Sequence, residues 1–387
     1  MKDETWYNMI VWADFAVYFY FLLSVIYLFI FAVFSCRKQR SIYVKSKKQY
    51  RFAVLFPAHK ADAVILESVT SFLNQNFPKD KYDIIVISEE MKEATNNALK
   101  KLPVILIETK IKNSTIAREL EYAVMTLENN AYDVAVILEA NNTVDSTFLE
   151  EINKAYHSGG MAIQTHRIAK KIRSNTSVLD AISEEINNSI FRKGHVNMGF
   201  SGGLIGSGMA FNYDWFKKNI HKVTEKYIAK QLEAILLKQG VYIDYLDNVY
   251  TYSEKIQEAS SFYKQRKEWL SSQSNSFWKN MKDLPKAILA ANFDYADKIL
   301  QWMMLPRVLL LTFSVAIAIA LLFFKWTLSL KWWGLLILLT MTFSLSIPEK
   351  FMNVRTLRAL ISLPFLALLM FFGLIGIRKK KNINYEL

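Results

Sequence analysis

Val134-Ala135-Val136-Ile137-Leu138-Glu139-Ala140-Asn141-Asn142-Thr143-Val144-Asp145 is the stretch that decides the fold. A β-branched apolar run stops abruptly in a small polar cluster, the pattern of a buried parallel strand that delivers side chains to a site at its carboxyl end. The same pattern recurs upstream. Phe52–Phe56 is a short apolar run closed by Pro57-Ala58-His59-Lys60, Tyr82–Ser88 is a second with Asp-Ile-Ile-Val-Ile at its centre, and Val104–Ile107 is a third.

Between these runs the spacing changes from two to about three and a half. Val64, Leu66, Val69, Phe72 and Leu73 give Ala63–Gln75 a helical apolar face, and Met91–Lys101 and Ser114–Leu127 read as further helices. Strand–helix alternation from Arg51 to about Tyr252 predicts a mostly parallel sheet covered on both faces, with its ligand site at the carboxyl ends of the strands. Those ends are Pro57–Lys60, Ser88–Met91 and Glu139–Asn142, so a shared polar cleft follows. No Gly-x-Gly-x-x-Gly follows the first strand, and Gly202–Gly208 lacks the Lys-Ser or Lys-Thr of a Walker loop.

The 387 residues are 52% hydrophobic and 14% aromatic, a composition that points to membrane segments beside one large domain. Phe15–Phe34 carries no charge and meets the roughly 20 residues that a bilayer requires. Arg37, Lys38, Arg40, Lys45, Lys47 and Lys48 follow it, which places the next domain in the cytoplasm. The run is too long for a signal-peptide core and no Ala-x-Ala-like site follows, so an uncleaved anchor is expected. The single Cys36 can form no internal disulfide and fits a reducing compartment. Val308–Phe324 and Trp332–Ile347 read as a helical hairpin with Trp326, Trp332 and Trp333 at its turn, and Ala359–Ile377 is a fourth apolar segment, interrupted by Pro364. If all four cross, the basic tail ends outside, against the charge rule; the alternative is a last segment that lies along or re-enters the membrane. The net charge of +13 lies largely beside these segments, where anionic headgroups attract it, and no zinc spacing or nucleic-acid module accompanies it.

Several motifs, taken in order, resemble membrane-bound family 2 glycosyltransferases. Pro57-Ala58-His59 is similar to that family's opening Pro-Ala-His-Asn-Glu, and Phe72–Pro78 to its helix exit. Glu139-Ala140-Asn141 falls at its Asp-x-Asp metal motif, Gly206-Ser207-Gly208-Met209-Ala210-Phe211 resembles its acceptor-side segment, and Lys264–Trp269 resembles its Gln-x-x-Arg-Trp element. The resemblance implies an α/β GT-A fold, a Rossmann-like, mostly parallel sheet with N- and C-terminal transmembrane helices. It also implies a nucleotide-sugar held by Pro57, Ala58, His59, Glu89, Glu139 and Asn141, an acceptor beside Gly206, Ser207 and Gly208, and a leaving group beside Gln265, Arg266 and Trp269.

The departures from the family pattern fall where its chemistry is done. Glu89 replaces the donor-side aspartate, and Asn141 removes a charge from the metal pair, leaving Glu139 as a weak ligand. Hard cations demand near-ideal oxygen geometry, so Mg²⁺ or Mn²⁺ binding is expected to be weakened or lost. The family's general base falls on Ala229 in one register and on Lys226 in another, so no catalytic base is assigned; base assistance is typically worth roughly 10²–10⁴-fold. Glu268 takes the place of the leaving-group arginine, with Arg266 or Lys267 as substitutes, and Ile116 stands where the family has a lysine.

Plainer readings stand beside these. Glu139 and Asn141 suit a turn, His59 suits a loop hydrogen bond, and the glycines at 202, 203, 206 and 208 suit a tight backbone path. His157, His166, His195 and His221 have no metal spacing, and Glu184-Glu185 reads as the acidic start of a helix ending in Arg192-Lys193.

The expected organisation is an anchor at 1–36, a GT-A unit at 51–280, interfacial amphipathic helices at 281–305, a transmembrane region at 306–377 and a basic tail at 378–387. The expected function is that of a glycosyltransferase-like protein of cell-envelope or exported polysaccharide biosynthesis, integral to a bacterial-type cytoplasmic membrane. Four altered positions make it catalytically impaired, or a non-catalytic partner of an active glycosyltransferase or export subunit. The alternatives are an active enzyme that transfers sugar to a glycan or lipid-linked acceptor with substituted residues, and an assembly or transport partner of a glycan synthase. Nucleic acid is not an expected partner.

Overall fold

The computed structural model describes residues 2–38, 43–44, 46–109, 115–127, 131–224, 227–254 and 259–361. Lys226, most of Ala359–Ile377 and the basic tail lie outside them.

Eight strands form one mixed sheet in the order β3-β2-β1-β4-β7-β6-β8-β5. They are β1 Phe52–His59, β2 Tyr82–Glu89, β3 Ile105–Thr109, β4 Val134–Ile137, β5 Thr143–Val144, β6 Ala162–Ala169, β7 Met209–Asn212 and β8 Ile243–Ser253. β1 pairs in parallel with β2 and β4, and β2 with β3. β7 inserts antiparallel between β4 and β6, and β8 returns parallel to β6. The β4 and β6 carboxyl ends therefore point the same way, toward one edge of the sheet.

Alternation along the central strands explains their unbroken apolar runs. Ala53, Leu55, Ile85, Ile87, Ala135 and Ile137 enter one core, while Phe52, Val54, Phe56, Val86, Val134 and Val136 enter the other. Successive side chains point to opposite faces, so a strand covered on both sides must be apolar at every position. The second core is closed by α2 Ile65–Phe72, α3 Glu93–Leu99 and α5 Phe148–His157. The first is closed by α4 Ile116–Thr126, by α8 Tyr213–Asn219 and α9 Ile228–Lys238, and by α11 Leu284–Leu289 and α12 Phe293–Met303. Each fully buried Val, Leu or Ile contributes roughly 1.5–3 kcal/mol.

A third core joins this sheet domain to apolar helices: α1 Lys2–Ser35, α6 Asn175–Asn188, α13 Arg307–Phe324, α14 Trp326–Ser346 and α15 Val354–Leu360. Among the described residues, three stretches are long and apolar enough to cross a membrane: Asn8–Ser35, Arg307–Phe324 and Trp326–Ser346. Their outward residues, such as Trp12, Phe323 and Ile337, are exposed. The hairpin expected from sequence is present, but its turn is Lys325 alone, and Trp332 is not interfacial: its ring is fully buried and its Nε1 donates to Asp14 of α1 at 2.9 Å. Lys331 pairs with the same carboxylate. An acid in an apolar helix needs such partners, and that need draws the tryptophan inward.

The α1 helix meets the sheet domain through a π-helical turn, Ser189–Gly194, which continues α6 and leads into α7 His195–Met198. A Cβ on Gly194 would lie 2.2 Å from the Phe31 carbonyl, so glycine is what permits this approach. His195 is fully buried, stacks on Phe31 at 3.6 Å, and meets the Tyr27 hydroxyl at 2.8 Å. That hydroxyl donates to Asp297 of α12 at 2.6 Å.

Glu184 and Glu185 are not the start of a helix. α6 begins at Asn175 behind a Ser174 capping box and runs on through the π-helical turn into α7, so both acids lie in the middle of a continuous helix and distant side chains hold them.

At Gly208 the backbone is left-handed (φ +64°), and a Cβ there would meet the Thr165 and Thr251 hydroxyls at 2.3 and 2.5 Å. Gly208→Ala is expected to destabilise the domain by about 1–3 kcal/mol, seen as a lowered midpoint of thermal unfolding in detergent.

Candidate active site

The cleft is built from the strand ends. After β4 the chain turns at once: Asn142 Oδ1 accepts from the Glu139 N–H at 2.9 Å, the Asn142 N–H donates back to the Glu139 carbonyl at 2.9 Å, and its Nδ2 donates to Asn141 Oδ1 at 3.1 Å. Asn142 is buried and carries the turn. The Glu139 side chain instead projects across the cleft, 43% exposed, to Arg167 Nη1 at 3.4 Å. Arg167 lies on β6 just past an irregularity between Thr165 and His166, and its Nε donates to Glu184 at 2.7 Å. A cavity of about 220 Å³ opens here, lined by Arg167, Ala169, Ile172, Glu184, Lys350 and Phe351.

At the neighbouring strand ends, Pro57 and Ala58 continue β1 and His59 Nδ1 meets the buried Glu89 carboxylate at 2.7 Å. Lys60 and Glu90 follow, both non-glycine residues at positive φ (49° and 51°), and they pair at 2.7 Å. Two such residues side by side store strain of the kind found at functional sites. Glu119 of α4 is buried against Glu89. Burial first, and then Glu89 itself, push its carboxyl up to about 8.

The loop before β7 is sewn to the sheet. Gln164 is fully buried, donates to the Ser207 carbonyl at 2.9 Å and accepts from the Ile205 N–H at 2.9 Å. Ser207 and Gly208 are buried, and only Ile205 and Gly206 of the loop reach the surface. On α10 Ala259–Asn280, Gln265 is exposed and Trp269 packs beside Leu270 and Leu309. Arg266 does not extend into open space; it binds Asp180 of α6 at 2.6 Å. Ala229 is buried in the first turn of α9. Tyr227, just before that turn, donates to Glu268 at 2.8 Å. Burial, the Glu268 bond and the nearby charge of Glu139 together raise the Tyr227 phenol.

The structure thus gathers His59, Glu89, Glu139 and Asn141 along one sheet edge and sets Arg266 against α6. Sequence reasoning missed Arg167, Asp180, Glu119 and Tyr227 as members of the site. Their partners lie far away along the chain, so no local spacing announces them; the one internal signal is Asp180, Glu184 and Asn188 at helical four-residue intervals.

The divalent cation that the Asp-x-Asp resemblance implies does not fit these residues. Asn141 is neutral and its amide oxygen is already an acceptor, Glu139 faces a guanidinium, and among the described residues no three His, Cys, Asp or Glu side chains converge as a ligand set.

A second ionic cluster stands beside the cleft. His166 bonds the Asp247 carbonyl at 2.9 Å and Glu185 at 3.0 Å, while Lys193 and Lys350 approach Asp247 and Glu185, each at 2.8 Å. Burial would lower the imidazole's pKa, but the two acids outweigh it and hold it above the ordinary 6.5. A larger cavity of about 600 Å³ lies at the opposite pole, by the amino ends of β6 and β8, where burial pushes Asp244 up to about 6.

Comparison with known proteins gives the family. A sequence profile described as glycosyl transferase family group 2 matches residues 134–372. No curated protein sequence matches. Among solved structures, the mannosyltransferase PcManGT from Pyrobaculum calidifontis, in complex with GDP-Man and Mn²⁺, superposes with a TM-score of 0.54 at 14% identity, over 87% of this chain and 98% of that one. S. aureus TarS 1-349 gives a TM-score of 0.45 at 12% identity, over 87% and 93%. The curled α/β sheet described above is a GT-A fold.

The Glu119 carboxyl holds its proton more tightly in the native state than in the unfolded chain. It therefore costs stability progressively as pH rises from 4.5 to about 8. His166 acts in the same direction: its contribution is complete below the unfolded pKa and is lost as pH rises through the elevated native value. Glu119→Gln is expected to flatten the carboxyl part of the curve and to raise the unfolding midpoint at pH 8 by about 2–5 °C, measured by thermal scans across pH.

Proposed function

This chain belongs to glycosyl transferase family group 2, and from that membership we propose a membrane-anchored, nucleotide-sugar-binding protein of cell-envelope or exported polysaccharide biosynthesis whose transfer step is impaired. In this reading the GT-A unit, residues 51–280, faces the cytoplasm of a bacterial-type cell. The 281–305 helices rest at the membrane face, and the protein serves as a non-catalytic partner of an active glycosyltransferase or export subunit. A glycan or lipid-linked acceptor is the partner class on the other side of the cleft. The 281–305 assignment is supported by Ile288, Leu289 and Phe293, which are exposed on the outer side of helices whose inner side enters the sheet core.

One observation carries the reading: the side chains a transferase would direct at cation, base and leaving group are engaged by other side chains of this chain. Glu139 and Glu184 hold Arg167, Asp180 holds Arg266, and Glu268 accepts from Tyr227. Of the two registers for the family's base, one falls on Ala229, whose side chain accepts no proton, and the other on Lys226.

A second reading, an active transferase with substituted residues, is favoured by one feature. The Glu268 carboxylate reaches Tyr227 at the start of α9, beside the place where the family's base falls. Full-length protein in detergent, incubated with a panel of sugar nucleotides and a saccharide acceptor, is expected to bind nucleotide yet release no nucleoside diphosphate above background. Turnover at ordinary rates that drops roughly 10²–10⁴-fold in Glu268→Gln would establish the second reading in its place.

A further inference from the structure

We propose that Arg167 is a built-in cation standing where the fold family uses a divalent metal, that the cleft holds the diphosphate of a nucleotide-sugar on this guanidinium without metal, and that Glu139 is the placeholder anion the diphosphate displaces. The inference rests on the nucleotide-sugar reading above.

The geometry is that of an occupied anion site. A guanidinium offers five N–H donors in a planar fork that matches phosphate oxygens two at a time. Among the described residues Arg167 uses its Nε on Glu184 and its Nη1 on Glu139. The two bonds are unequal. Glu184 is 5% exposed and bonds at 2.7 Å, so it anchors the stem of the fork, whereas Glu139 is 43% exposed and stands off at 3.4 Å. Exchanging the outer carboxylate for a phosphate oxygen swaps one anion for another on the same donors. Little of the cost falls on the displaced carboxylate, because the Glu139 side chain is already 43% exposed.

The position is held in advance. Asn188 Nδ2 donates to the Arg167 carbonyl at 2.9 Å, and the β6 irregularity between Thr165 and His166 aims the following residues at the cleft. A divalent ion brought to the same place would face a fixed positive charge and find Asn141, a neutral amide, as its second ligand. Hard cations need several anionic or carbonyl oxygens in strict geometry. The charge that the Asp-x-Asp pair would have recruited from solution is supplied here by the chain itself.

Calorimetry on the full-length protein in detergent, with UDP and GDP as probes in EDTA or in millimolar MnCl₂, separates the outcomes. The affinity of whichever nucleotide binds is expected to differ by less than about twofold between the two buffers, to fall about tenfold or more in Arg167→Gln, and to rise about threefold in Glu139→Gln. The Glu139 arm stands even if the Arg167 variant, whose side chain is only 16% exposed, fails to fold, because the Glu139 side chain is 43% exposed. Binding that requires Mn²⁺, or that weakens in Glu139→Gln, would overturn the inference while leaving the nucleotide-sugar reading intact. Absence of UDP and GDP binding in both buffers would remove that reading and this inference with it.

Discussion

The acidic side of α6 is what the rest of the structure depends on. Asp180, Glu184 and Asn188 recur at four-residue spacing, and each is engaged by an arginine: Arg266 on α10, Arg167 on β6 and Arg192 on the π-helical turn. Glu185, next along, binds His166 of β6 and Lys350 of the loop before α15. One helix thereby ties together the far half of the sheet, α10 and the loop before α15. Removing one member of a buried ionic pair typically costs about 3–5 kcal/mol because the other is left uncompensated. The arrangement is therefore costly to break at any single member.

The same internal pairing sets the character of the cleft. In a transferase site, donors and charges held in advance toward the developing charge are usually the largest asset. Here such charges are satisfied internally. Arg266 closes on Asp180, Glu268 on Tyr227, and Arg167 spans two carboxylates of different strength. The long, exposed Glu139 contact is the weak member of this set, and the place where an incoming anion meets least resistance.

The sheet's parallel half was legible in the sequence because two covered faces leave no room for polar residues. Phe52–Phe56, the apolar core of Tyr82–Ser88, and Val134–Leu138 each appear as unbroken runs, and their polar ends mark the cleft directly. The antiparallel insertion of β7 was not legible: Met209–Asn212 is four residues long, and its neighbours are chosen by the Gly208 turn and by Thr165 and Thr251 rather than by its own composition. Likewise Glu184-Glu185 looked like a helix start because local charge order suits a dipole, whereas the Ser174 cap lies ten residues upstream and distant cations decide the matter. Strand ends can be read from one stretch of chain; ion pairs between distant stretches cannot.

The Asp14 contact sets an order of events in biogenesis. The carboxylate lies in the first apolar helix, and the indole and ammonium that receive it belong to α14, with Trp332 318 residues further along the chain. At roughly 5–20 residues per second, the ribosome delivers those partners about 15–60 s after the first helix emerges. The anchor thus inserts with an acid still unmatched, and the membrane bundle matures only when its last described long helix arrives to complete the pair.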